Sequence, residues 1–114
     1  MDPVGNLLLL DKRDRDVSVL SPEGRTIARI QTQKGQAAMK KAVDIALDPA
    51  GNLYVLDEEG AKIAVFDASY QFVTLLTPQS LGGGSLTKPV TLDVDASGDL
   101  YVYDEKEKAI VHLH

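Results

Sequence analysis

The segment Asp48-Pro49-Ala50-Gly51-Asn52-Leu53-Tyr54-Val55-Leu56-Asp57 decides the fold, because the chain carries it in three near-copies. One copy, Asp95-Ala-Ser-Gly-Asp-Leu-Tyr-Val-Tyr-Asp104, lies 47 residues downstream; the other, Asp2-Pro-Val-Gly-Asn-Leu-Leu-Leu-Leu-Asp11, lies 46 upstream. The register extends beyond the segment. Val17-Ser-Val-Leu20, Ile63-Ala-Val-Phe66 and Ile110-Val-His-Leu113 correspond, as do Thr26-Ile-Ala-Arg-Ile30 and Phe72-Val-Thr-Leu-Leu76. Val43-Asp-Ile-Ala-Leu47 likewise matches Val90-Thr-Leu-Asp-Val94. An internal repeat of this period sets the architecture before any local reading does.

Each copy reads as short strands. Runs of four to six residues rich in Val, Ile, Leu and Tyr alternate with clusters of Gly, Asn, Asp and Pro. The middle copy predicts four strands, at about 43–47, 53–56, 63–66 and 72–76, termed a, b, c and d. Gly5, Gly51 and Gly98 sit where the a–b turn needs positive φ. Counted along the chain, the copies give b-c-d, a-b-c-d and a-b-c, ten strands in all. Four strands per roughly 40–50 residues is the period of a propeller blade. The expectation is an all-β partial β-propeller of antiparallel four-stranded blades: residues 1–31 for the first, 42–77 for the second and 89–114 for the third.

The pattern of an apolar strand, Asp-Pro-x-Gly-Asn-Leu-Tyr-Val-x-Asp, a short loop and Ile-x-Val-Phe-Asp resembles the NHL repeat of six-bladed β-propellers, most closely over residues 42–78. The first copy departs from it with Leu8 in place of tyrosine, and the third with Ala96 in place of proline. The resemblance implies architecture more than activity, since such propellers host binding proteins and enzymes alike. A closed ring needs more blades than three. The two end faces are therefore expected to be apolar, to be covered by further blades of a longer propeller or by a second copy. An end after strand c is also what the closing blade of such a ring predicts; the start before a b strand reads as a cut.

Composition narrows the chemistry. The 114 residues hold 12 Lys and Arg against 17 Asp and Glu, a formal charge of −5, with 44% apolar residues, as in an ordinary globular domain. Without cysteine there is no disulfide, thiolate nucleophile or Cys-ligated zinc. The longest apolar run, Leu7 to Leu10, is far short of the ~18 residues of a membrane helix. The opening Met1-Asp2-Pro3 lacks the basic and apolar regions of a signal peptide. Gly-x-Ser-x-Gly is absent, and Gly82-Gly83-Gly84 has no Gly-Lys-Ser after it to cradle a phosphate.

Comparing the copies separates structural residues from candidates for function. Asp11, Asp57 and Asp104 recur at the end of strand b, where each carboxylate can accept N–H groups of the b–c turn. Asp2, Asp48 and Asp95 recur before the a–b turn. The run Asp93-Val-Asp95-Ala-Ser97-Gly98-Asp99 has the alternating oxygens of a calcium loop but lacks its downstream glutamate, so a hairpin turn is the better reading. His112 and His114 share one strand face without a third ligand nearby in sequence. No cofactor or metal is expected.

In a propeller the b–c and d–a connections share one face. Arg13, Arg15, Lys34, Lys40, Lys41, Lys62, Lys88, Lys106 and Lys108 fall there among Asp14, Asp16, Glu58, Glu59, Glu105 and Glu107, whereas Arg25 and Arg29 belong to the other side. The two longest connections, 31–42 and 77–89, lie on that same face and differ completely in sequence, as binding loops of repeat proteins do. The expected function is a non-catalytic scaffold holding a protein or peptide through this face. The candidate contact residues are Arg13, Arg15, Lys34, Met39, Lys40, Lys41, Glu58, Glu59 and Lys62, with Met39 an apolar anchor in a helix-prone stretch. The alternative is a piece of a larger propeller lyase or hydrolase, with Asp44 and Asp93 of the a strands as its local contribution to a channel metal. Nucleic-acid binding is disfavoured, because acids interleave with the cations and no stacking aromatic is evident on the face.

Overall fold

A computed structural model describes residues 2–11, 16–31, 40–58, 62–77 and 88–113. Over these the chain forms ten strands: β1 (Leu7–Asp11), β2 (Asp16–Leu20), β3 (Thr26–Gln31), β4 (Ala42–Leu47), β5 (Leu53–Asp57), β6 (Lys62–Phe66), β7 (Phe72–Leu76), β8 (Pro89–Val94), β9 (Leu100–Asp104) and β10 (Ala109–Leu113). They assemble into three antiparallel sheets, β1-β2-β3, β4-β5-β6-β7 and β8-β9-β10. The four strands expected of the middle copy are all present, two of them longer by a residue at the start and one at the end.

The sheets stack face on face. Side chains alternate along a strand, so β5 and β6 send Leu53, Val55, Ala64 and Phe66 toward Leu8, Val17, Val19 and Ile30 of the first sheet. Leu56 and Ile63 point the other way, against Leu92, Leu100 and Val102 of the third. Leu53, Val55 and Leu56 are fully buried. Burying each such side chain contributes ~1.5–3 kcal/mol, more than the net ~0.5–1.5 kcal/mol of a hydrogen bond. Stacking, rather than the ladders within each sheet, therefore sets the stability of the assembly.

The outer faces are apolar and open, as expected. Leu7, Leu9 and Ile27 of the first sheet are about half exposed (45%, 47% and 54%), and Ile110 of the third is 71% exposed. Bulges recur at equivalent places, one where β2 meets β3 and β6 meets β7, another where β4 meets β5 and β8 meets β9. The inner-strand bulge re-aims Asp44, whose carboxylate accepts the Leu92 N–H of the next sheet at 2.7 Å.

Each a–b turn is closed by its own aspartate. Asp48 accepts the N–H groups of Ala50 and Asn52 (3.0 and 2.9 Å), the Asn52 amide (3.0 Å) and the Tyr54 hydroxyl (3.0 Å). Asp95 repeats this with Ser97, Asp99 and Tyr101. In the first copy Leu8 replaces the tyrosine, and the hydroxyl comes from elsewhere: Tyr70, in the c–d turn of the second sheet, donates to Asp2. Tyr70 adopts φ +63° where the first copy has Gly24 at +87°. A left-handed tyrosine costs about 1 kcal/mol relative to glycine, which the hydrogen bond to a carboxylate offsets.

These bonds couple stability to pH. Burial disfavours the charge on Asp2 and Asp48, but the hydrogen bonds from Tyr70 and Asn6, and from Asn52 and Tyr54, outweigh it and hold both carboxyls below the ordinary 3.8. Burial and the neighbouring carboxylate push the Tyr54 and Tyr70 hydroxyls from 10.0 up to about 12. The aspartates' contribution is present above 3.8 and is lost as pH falls through their lower folded values. The tyrosines' contribution is present below 10 and is lost as pH rises toward 12. Denaturant midpoints measured across pH should give a plateau from about pH 4 to pH 10 with a fall on each side. A tyrosine absorbance titration should show Tyr54 and Tyr70 ionising only near pH 12. A second expectation concerns Ala96, which occupies the place of Pro3 and Pro49 in a turn that uses no N–H at that residue. Ala96→Pro should stabilise the fold by ~0.4–1 kcal/mol by restricting the unfolded chain, read as a higher denaturation midpoint.

Candidate functional site

The face that carries the b–c and d–a connections is built twice over from one local motif. Asp57 ends β5 with its side chain fully buried, and its two oxygens accept the N–H groups of Lys40 and Lys41 at 3.0 Å each. Glu58 then donates its own N–H to the Lys41 carbonyl (3.0 Å), while the Lys41 ammonium lies 3.1 Å from the Glu58 carboxylate. The third sheet repeats the arrangement. Asp104 is fully buried and accepts the Lys88 N–H at 3.2 Å; Glu105 donates to the Lys88 carbonyl at 3.0 Å and pairs with the Lys88 ammonium at 3.8 Å. Asp104 also accepts the N–H groups of Lys106 and Glu107, the b–c turn contacts expected from the sequence. The bonds to the residues preceding strand a were not expected. They fasten the far end of a long connection to strand b, so the aspartate fixes where the loop returns to the sheet.

The first sheet differs. Asp11 is exposed, and β1 pairs it directly with Asp16, the position held by Lys62 in the second sheet. Lys62 instead lies 3.9 Å from Asp57. Asp16 is largely buried, with one oxygen 3.7 Å from the Arg29 guanidinium and the other, Oδ1, without a hydrogen-bond partner among the described residues.

Of the candidate contact residues, Lys40, Lys41, Glu58 and Lys62 are brought together around Asp57 at one end of the second sheet. Lys40 and Lys41 are exposed to solvent, whereas Glu58 and Lys62 are partly covered. Arg13, Arg15, Lys34, Met39 and Glu59 lie outside the described residues, and so does His114. The signal for the Lys41–Glu58 pair was available in the sequence, since Lys88 and Glu105 stand 47 residues on.

The other candidate chemistries are resolved into local contacts. Asp44 is occupied by Leu92 and by the Ile45 N–H at 2.9 Å. Asp93 accepts the Val94 N–H at 2.9 Å, and Asp95 is turned into its own turn, so the carboxylates of 93–99 do not converge. His112 stacks on Tyr101 with ring centroids 4.7 Å apart, and its Nε2 lies 3.3 Å from Asp99. Among the described residues no three His, Asp or Glu side chains are grouped to hold a metal ion. A cavity of about 270 Å³ at the inner edge is lined by Leu8, Ile45, Ala46 and Leu47, side chains without acid–base function.

No family model and no curated protein matches the sequence. Solved structures do. The chain is similar to the WD40 repeats of RRP9 (20% identity, TM-score 0.68, covering 96% of this chain and 35% of that one). It is also similar to the WD40 β-propeller domain of Doa1 (11% identity, TM-score 0.69, 96% and 33%). A third is a chain of the hydrazine synthase of Kuenenia stuttgartiensis (15% identity, TM-score 0.65, 96% and 32%). The fold is that of a partial β-propeller, its three sheets being blades, and the chain spans about a third of the length of the chains it matches.

The clamp yields a direct test. Asp57→Ala removes a fully buried carboxylate and leaves the part-buried N–H groups of Lys40 and Lys41 without it, and should destabilise the fold by roughly 3 kcal/mol. Asp11→Ala, at the equivalent but exposed position, should cost under about 1 kcal/mol in the same denaturation measurement.

Proposed function

We propose that the chain is a non-catalytic repeat scaffold of NHL type, one partial propeller over residues 1–114, that holds a protein or peptide on its b–c and d–a face. The observation that carries this reading is the asymmetry between its two rims. On the a–b and c–d rim the aspartates Asp2, Asp48, Asp67 and Asp95 are all engaged by N–H groups of their own turns, leaving a uniform set of closed, short turns. On the opposite rim, buried Asp57 and Asp104 anchor two long connections of unrelated sequence and set paired charges, Lys41 with Glu58 and Lys88 with Glu105, at the surface. A frame that fixes where variable connections rejoin the sheet and presents both signs of charge is suited to a polypeptide partner with complementary charges.

Support for the NHL assignment comes from the Asp-Pro-x-Gly-Asn-Leu-Tyr-Val motif, in which each tyrosine hydroxyl meets the turn aspartate. The surface lysines Lys40 and Lys41 are the described residues best placed to touch a partner, with Arg13, Arg15, Lys34, Met39 and Glu59 completing the candidate surface. Engagement of Asp44 by Leu92 weighs against a catalytic role for the inner strands. Crosslinking and affinity capture with the wild-type chain and the Lys40→Glu/Lys41→Glu double variant test the proposal. Partners bound to this face should be lost from the double variant and retained by Glu23→Lys on the other rim. Retention of every partner by the double variant would overturn the assignment.

A further inference from the structure

We infer that the open face of the first blade is a docking site for a second copy of this chain, which seats its third blade there head to tail. The argument starts from a socket. Where the first and second blades meet, Pro3 of one a–b turn packs against Gly51 of the next, its ring carbons 3.0 and 3.1 Å from where a Cβ would stand, with Ala68 of the c–d turn closing the other side at 3.4 Å. The same construction exists on the outer face of the first blade. A cavity of about 350 Å³ is lined there by Gly5, Leu7, Leu20, Ser21, Pro22 and Gly24. These stand 46 residues before Gly51, Leu53, Phe66, Asp67, Ala68 and Tyr70. Pro22 approaches the Gly5 position to 3.8 Å, as Ala68 approaches Gly51, and among the described residues no second turn comes within 4 Å of it. The lining is mainly apolar, and Leu7 and Leu9 beside it are half exposed. Its form is that of a receptor for one a–b turn and the apolar flank that accompanies it.

The chain itself presents an a–b turn and its flank at the other end, with Ala96 in the place of the Pro3 ring. The 95–98 turn is held by Asp95 through the same bonds as the 48–51 turn. The outer face of the third blade carries Tyr101, Tyr103, Ile110 and His112 at the positions of Tyr54, Leu56, Ile63 and Val65. In the second blade, Leu56 and Ile63 of that face are covered by the following blade. Tyr103 and His112 are the polar departures, and the His112 ring is already stacked on Tyr101 and beside Asp99, so covering it leaves no bare imidazole. The two flanks lie at opposite ends of a stack of three sheets and cannot meet within one molecule. Because they differ, the contact is heterologous: one copy offers its first blade and the other its third.

This polarity makes the inference testable with surface variants that leave each blade's own core intact. Leu9→Glu puts a charge on the receiving face and Ile110→Glu on the inserted face; both positions are exposed, and circular dichroism confirms folding. In sedimentation velocity at tens of micromolar, the wild-type chain should run above its 12.3 kDa monomer mass and increase with concentration. Each variant alone should be a monomer. Mixed in equal amounts, they should form a one-to-one complex of twice the monomer mass, because the Ile110→Glu copy keeps its receiving face and the Leu9→Glu copy keeps its inserted face. A monomeric wild type, a variant that still associates as wild type does, or a mixture that stays monomeric would each overturn the inference.

Discussion

A β-sheet that is apolar on both faces holds its place only between two others, and the rest of this molecule follows from that constraint. In the second blade Leu53 and Val55 enter one interface and Leu56 the other, so β5 reads as an almost continuous apolar run rather than an alternating one. A sheet of this kind has no stable existence alone. Its neighbours are supplied by repetition: the same segment, recurring at an interval of 46 or 47 residues, folds into a sheet of the same shape and lies down on the previous one. Twist between neighbouring strands turns the stack, and a propeller results.

Repetition leaves the polar backbone at the ends of every strand to be satisfied, and the chain uses carboxylates at fixed places to do it. Asp2, Asp48 and Asp95 close the a–b turns, Asp57 and Asp104 fasten the loop that enters strand a, and Asp44 bridges two inner strands. Each accepts N–H groups that would otherwise lie unpaired at a sheet margin. The exception at Leu8 shows how firmly this need is met. The hydroxyl missing from the first copy is donated by Tyr70 of the next blade, from a backbone conformation that tyrosine rarely adopts. What is an internal contact in two blades thereby becomes a joint between blades in the first.

The architecture was legible in the sequence because it rests on periodicity, and periodicity survives substitution: Leu8 for tyrosine and Ala96 for proline disturb neither strand nor turn. The local turn chemistry was legible too, since Asp48 and its partners lie within six residues of one another. Contacts that cross blades were not. Nothing in the spacing of Tyr70 and Asp2, or of Asp44 and Leu92, marks them as partners 68 and 48 residues apart. The bonds from Asp57 to Lys40 and Lys41 were hidden for a related reason, as strand b meets the start of strand a only after the a–b hairpin folds back. The candidate surface was half legible: the repeat identifies the rim and the recurrence of Lys41 and Glu58 as Lys88 and Glu105, whereas side-chain placement shows that each lysine pairs with its glutamate.

That last point bears on how a repeat protein separates frame from function. A residue found in every copy at an equivalent place answers to the fold, and Asp57 with Asp104 meets this test through identical burial and equivalent partners. Yet the lysine and glutamate that accompany them also recur, and in the third blade both are about half exposed. Exposed pairs of this kind contribute ~0–1 kcal/mol, too little to account for their place by stability alone. Their carbonyl and N–H groups do the fastening, through Glu58 to Lys41 and Glu105 to Lys88, and any residue but proline could supply those. The side chains are thus released from the frame while being held at a fixed position by it. A surface whose backbone is fastened in this way and whose side chains contribute little to stability can change in sequence without disturbing the stack beneath.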